Sequence, residues 1–198
     1  DFIHLDKHQL GIVIGDVSDK GMPAALFMAL TFSLIRAEAG QTAAPRQILE
    51  NVNGYLLNMN TLGTYVTVLY SVLDYRTGLV TYSRAGHPLP IVVDGSGMLI
   101  TPAMQEGQPL GLFTQVKIDQ QQVAIPRGGM ALFYSDGLNE AADAQGHEFG
   151  VQRIQQVLHQ TNGASVAEVR EVRHHREPLV GTPVVMQHAV VRRHGPAH

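Results

Sequence analysis

The sequence predicts an α+β domain, in which antiparallel strands are joined by short turns and two helices are inserted among them as a block. Three observations carry this. Runs alternating in the strand period are separated by four or five polar residues, the spacing of hairpins and not of crossover helices. Two long stretches with helical spacing follow one another directly, without a strand between them, which disfavours a parallel sheet. No segment repeats, and 198 residues with 44% hydrophobic content suffice to bury one aliphatic core.

In chain order, Phe2 to Leu5 and Leu10 to Val17 read as strands joined by Asp6, Lys7, His8 and Gln9. Pro23 suits a first helical turn, and the helix continues through Leu26, Phe27, Leu30, Leu34 and Ile35 to Gly40, apolar on most faces. A second helix spans Pro45 to Met59, with Ile48, Leu49, Val52, Leu56 and Leu57 on one stripe, and the two helices are predicted to pack together. Tyr65 to Leu73, Leu79 to Arg84, Ile91 to Val93 and Met98 to Thr101 then read as a β-meander, turning at 74–78 and 94–97. Further strands are predicted at Val116 to Ile125 and Met130 to Tyr134. A polar loop to Gly150 and a helix from Val151 to about Gln160 follow. Residues 173–198 change character, holding five of the ten His, four Arg and three of the ten Pro. This atypical basic tail is predicted to be disordered or to replace the last core strand.

Composition excludes several classes. A net charge of -3 gives no electrostatic footprint for nucleic acid or an anionic membrane. The longest uncharged apolar run, Gly21 to Ile35, is shorter than the ~20 residues that span a bilayer, so no membrane partner and a cytoplasmic location are predicted. Without cysteine there are no disulfides and no thiolate metal sites, which leaves carboxylates, imidazoles and carbonyls as ligands. The chain opens in mid-strand, and the expectation is that sequence precedes it.

The chemistry centres on two strand ends. Asp16 follows the aliphatic run Gly11 to Gly15, and Asp136 follows Ala131 to Ser135. A carboxylate half-buried at a strand tip needs a cation or donor to offset desolvation. Two of them make a cradle for magnesium or manganese; equally, each could cap its turn. His87, beside Pro88, is read as support for its turn and not as a catalytic group. Lys20 precedes the first helix and could meet a phosphate or sit exposed. His174, His175, His188, His194 and His198 lack regular ligand spacing and are read as a solvated tail, not a metal trap.

Five ordered motifs go further than spacing. The stretch Gly15 to Leu26 (GDVSDKGMPAAL), Ala85-Gly86-His87-Pro88, Gly107-Gln108-Pro109-Leu110-Gly111, Tyr134 to Ala141 (YSDGLNEA) and Phe149-Gly150 together resemble the SpoIIE-like, RsbU-type branch of the metal-dependent type 2C protein serine/threonine phosphatases. The likeness covers about residues 1–160. It implies an αββα sandwich of two central antiparallel sheets flanked by helices, with a phosphatase domain over 1–172. It also implies two Mn2+ or Mg2+ ions and direct attack of water on a phosphoserine or phosphothreonine ester. Asp16 would bridge the ions, the Val17 backbone carbonyl would ligate one, and Asp136 would hold the other. Gly15 and Gly137 would permit tight turns, and Asp19 would support the site. The implied partners are a phosphorylated signalling protein, such as an anti-sigma-factor antagonist, and an upstream sensor or receiver domain, in a two-component or similar signal-transduction system.

Two departures from the family pattern stand beside it. Asp1 matches the second Asp of a GGDxxD block whose first Asp this chain lacks. No Asp follows Asp143, so the closing DDxT motif is missing; beyond the last predicted helix the carboxylates are Glu168, Glu171 and Glu177. The expectation is a truncated or frame-altered C-terminus and a weakened second ion site. Three functional readings follow: a phosphoprotein phosphatase, a catalytically impaired module that binds a signalling partner, and a carboxylate metal hydrolase of small phosphoesters.

Overall fold

A computed structural model describes residues 1–42, 44–60, 63–103, 106–143, 145–160 and 188–193. Along the chain these form β1 (Phe2–His4), β2 (Gln9–Val17), α1 (Met22–Ala39), α2 (Pro45–Met59), β3 (Val66–Asp74), β4 (Leu79–Ala85), β5 (Ile91–Val93), β6 (Leu99–Ile100), β7 (Gln120–Ala124), β8 (Met130–Tyr134), α3 (Asp136–Asn139), α4 (Gly150–Gln160) and β9 (His188–Arg192). There are two antiparallel sheets, of order β1-β2-β3-β4-β7 and β6-β5-β8-β9, and the chain divides into two compact units that each hold one sheet. The α+β expectation with two antiparallel sheets holds.

The first unit comprises Asp1–Leu89 and Ala103–Ala124. β2 and β3 pair over their full lengths, from Gln9 opposite Asp74 to Val17 opposite Val66, and this register aligns Asp16 with Thr67. α2 is amphipathic as its spacing requires: Ile48, Leu49, Val52 and Leu56 are fully buried in one cluster with Ile35 of α1 and Val13, Val66, Val68 and Val72 of the sheet. Burial of each such aliphatic chain contributes roughly 1.5–3 kcal/mol. α1 and α2 pack together as predicted. With 18 residues and a mean hydropathy of 1.3, α1 is by length and composition able to cross a membrane. Here it packs against α2 and β2, with Ile35 and Ala39 in the shared core.

Tyr70 is fully buried in this cluster, and its hydroxyl has no hydrogen-bond partner among the described residues. The hydroxyl lies where a Cβ on Gly11 would come within 2.8 Å, so Gly11 supplies the room for it. Burial pushes the Tyr70 phenol up to about 12 from an ordinary 10.0. A raised phenol favours the neutral form, so its stabilisation is complete below pH 10 and is lost as pH rises through 12. Tyr82, also raised to about 12 by burial, acts in the same window. Tyr70→Phe removes the unsatisfied hydroxyl and is expected to be neutral or stabilising by about 1 kcal/mol at pH 7. It is also expected to lessen the loss of unfolding free energy between pH 10 and 12, to which the wild-type phenol contributes on the order of 2–3 kcal/mol. Urea melts at both pH values, with tyrosinate absorbance, check both expectations.

The second unit joins Pro90–Pro102 to the described residues from Ile125 on. Ile91, Val93, Met130, Leu132 and Tyr134 form its core with Ile154 and Leu158 of α4. His159 Nδ1 lies 3.1 Å from the Gly97 carbonyl and ties α4 to the β5–β6 turn. β9 closes the sheet with Tyr134 opposite His188, and Arg193 follows it, donating from its side chain to the Ile125 carbonyl at 3.1 Å.

Three expectations need correction. The β-meander is divided, β3 and β4 belonging to one sheet and β5 and β6 to the other. The Gly86 turn at φ +75° and the prolines at 88 and 90 interrupt the ladder after β4. The strand expected from Val116 begins only at Gln120, because Lys117 instead exchanges hydrogen bonds with Gln108. The stretch before Gly150, expected as a polar loop, holds among its described residues α3, an Ala142–Glu148 bridge, and an Asp143 turn accepting from the Gln145 and His147 amides. In the basic tail, His188 to Arg193 are described; His174, His175, His194, His198 and Glu168, Glu171 and Glu177 lie outside the described residues.

Candidate functional site

The first strand end is built by β2, β3 and the turn into α1. β2 is buried from Leu10 to Gly15 and emerges at Asp16. Asp16 is therefore exposed, where half-burial was expected, and exposure removes most of the desolvation cost that the sequence argument invoked. Its Oδ1 accepts from the Val17 amide at 3.0 Å. The Asp16 carbonyl accepts from Thr67 Oγ1 at 3.4 Å, and Thr67 Oγ1 lies 3.0 Å from Nδ1 of the fully buried His87.

Gly15 does not make a turn. It lies inside β2, and a Cβ there would come within 2.7 Å of the Thr67 carbonyl and 3.2 Å of Val68 Cγ2, so glycine permits close approach of β3. Neither Gly15 nor Gly137 has a positive φ. The turn after Asp16 is pinned to the start of β3 twice. Ser18 exchanges bonds with Tyr65 (2.9 and 3.1 Å), and Asp19 Oδ2 accepts from Thr64 Oγ1 at 3.0 Å. Lys20 is exposed in this turn. Asp1 is ion-paired with Arg36 of α1 at 2.6 Å.

Two further motifs dock beside this end. A Cβ at Gly86 would lie 3.1 Å from Pro109 Cγ, so the Ala85–Pro88 turn rests on the Gly107–Gly111 segment. Leu110 and Val66 exchange backbone bonds of 2.9 and 3.1 Å. Asn53, buried on α2, accepts from the Gly111 amide and donates to the Phe113 carbonyl; Asn60 donates to the Thr64 and Gly111 carbonyls. Sequence reasoning missed Thr64, Thr67, Asn53 and Asn60. The legible signal for Asn53 was its place in the apolar stripe between Leu49 and Leu56, where only a fully bonded amide is tolerated.

In the second unit, Asp136 opens α3 directly after the buried strand β8, and its Oδ1 accepts from the Gly137 amide at 3.1 Å. Asn139 Oδ1, in the same short helix, is buried without a partner among the described residues. The donors at both strand ends are carboxylate and amide or peptide oxygens, which suit hard divalent cations, so magnesium or manganese fits their chemistry. Among the described residues no three or more His, Asp or Glu side chains gather in a metal-holding group. An ion at either strand end would draw on few of the described carboxylates.

The model of the family described as stage II sporulation protein E (SpoIIE) matches residues 6–181 of this chain. The chain belongs to the SpoIIE family. Among SpoIIE-related proteins, it is 27% identical over 181 residues to Protein IcfG of Synechocystis sp., covering 78% of this chain and 28% of that protein. It is 26% identical over 148 residues to Phosphoserine phosphatase RsbU of Bacillus subtilis, covering 74% and 44%. The chain thus spans less than half the length of these relatives. The solved type 2C phosphatase domain of SpoIIE from Bacillus subtilis superposes with a TM-score of 0.74 at 17% identity, over 96% of this chain and 56% of that one. RsbX in complex with magnesium gives 0.62 at 22% identity, over 84% and 73%. The fold is that of a type 2C phosphatase domain, as the five motifs implied.

Proposed function

We propose that this chain is the phosphatase domain of a larger bacterial signalling protein and hydrolyses phosphoserine or phosphothreonine on a protein substrate. The observation that carries this is a SpoIIE-family chain presenting an exposed carboxylate, Asp16, at the end of β2 above a turn pinned by Ser18 and Asp19. In this reading Asp16, the Val17 carbonyl and Asp136 would hold Mn2+ or Mg2+, with Gly15, Asp19 and Gly137 in support. When bound, the ions supply the Lewis acidity for direct attack of water on phosphorus. The Val17 amide holds the Asp16 carboxylate, Thr64 holds Asp19, and the Gly137 amide holds Asp136. The magnesium in RsbX and the name phosphoserine phosphatase for RsbU support the cofactor and the substrate class. An anti-sigma-factor antagonist as substrate, a sensor or receiver domain as regulator and a cytoplasmic location are consistent with such relatives. The test is release of phosphate from a phosphoserine protein: release with Mn2+ that EDTA abolishes is expected, and no release with either ion sinks the reading.

One observation favours a second reading, a module that binds a signalling partner without hydrolysing it. Tyr134, two residues before Asp136, pairs with His188 at the start of β9, and the sequence of that strand, His-Ala-Val-Val-Arg, holds no carboxylate where the family places its DDxT acid. Partner binding without turnover under metal titration would select this reading.

A further inference from the structure

We propose that His87, acting through Thr67, is a positioning residue for the Asp16 strand tip, an inference that rests on Asp16 being a metal ligand. The Asp16–Val17 peptide is held on both sides. Its carbonyl oxygen accepts from Thr67 Oγ1 at 3.4 Å, and its amide donates to the Asp16 carboxylate at 3.0 Å. Turning this peptide plane therefore turns the carboxylate and the Val17 carbonyl that follows it. A threonine hydroxyl has one proton. If Thr67 donates it to the Asp16 carbonyl, Thr67 must accept from His87 Nδ1 at 3.0 Å, which assigns the ring proton to Nδ1. His87 is fully buried in a turn seated on Pro109, so the relay is anchored in packed structure.

The same pair of strands contains a matched control. Ser71 Oγ donates to the Ile12 carbonyl at 3.4 Å, again between register partners, but deep in the sheet. If β3 hydroxyls merely brace β2, the two positions behave alike. In the relay, only Thr67 bears on the tip.

The experiment compares Thr67→Val, His87→Leu, His87→Asn and Ser71→Ala by Mn2+ calorimetry and by hydrogen–deuterium exchange at Val17 in metal-free protein. Thr67→Val and His87→Leu are expected to weaken Mn2+ binding about 10-fold or more, as loss of groups that orient a ligand does. Both should also speed Val17 exchange. Asn carries a donor at the position of Nδ1, so His87→Asn should stay within about 2-fold of wild type, and Ser71→Ala should leave both readouts unchanged. Wild-type Mn2+ affinity and exchange in Thr67→Val would overturn the relay, as would equal losses in Ser71→Ala. If the wild type binds no Mn2+ yet Thr67→Val still speeds Val17 exchange, the metal reading fails and the positioning stands.

Discussion

Asp16→Asn is expected to lower Mn2+ affinity on the order of 100-fold or more and to remove phosphatase turnover, while leaving the fold intact. Asn keeps a carbonyl oxygen that can accept from the Val17 amide, and position 16 is exposed, so the stability change should stay within about 0.5 kcal/mol. What is lost is the negative charge, the term that dominates the attraction of hard cations by oxygen ligands. Calorimetric Mn2+ titration beside a thermal melt checks this. Unchanged metal binding would remove Asp16 from the centre of the site.

Gly107→Ala is expected to destabilise the protein by about 3 kcal/mol, at the upper end of overpacking costs. A Cβ there would overlap the Arg84 carbonyl oxygen and lie 3.3 Å from the Gly86 amide nitrogen, both rigid backbone atoms. The segment must then lift, stretching the Leu110–Val66 backbone bonds and loosening the turn that carries His87. The contrast is Gly54 on α2, where a Cβ meets nothing within 4 Å. Gly54→Ala should be stabilising by up to about 1 kcal/mol through helix propensity. Paired urea melts distinguish the two, and equal midpoints would contradict the packing described for Gly107.

Much of this was legible from residues because it depends on local periodicity. The α2 stripe of Ile48, Leu49, Val52 and Leu56 gave both the helix and its buried face, and Pro45 and Met59 bounded it as predicted. The β8 run Met130–Tyr134 was equally clear, since five consecutive apolar residues before a Ser-Asp-Gly turn leave few alternatives. The assignment of β5 and β6 to a second sheet was not legible. Alternation specifies that a strand has two faces, not which neighbour it hydrogen-bonds, and that choice falls to the Gly86–Pro90 interruption.

By itself the sequence determined the element types, the family and the pair of strand-end aspartates, because strand period, helix stripe and turn chemistry are written in neighbouring residues. Only the tertiary structure decided that Asp16 is exposed, that Gly15 serves close packing and that Thr67 and His87 stand behind the strand tip. Those facts depend on the β2–β3 register and on a turn 20 residues further along the chain from Thr67, contacts that local pattern does not encode.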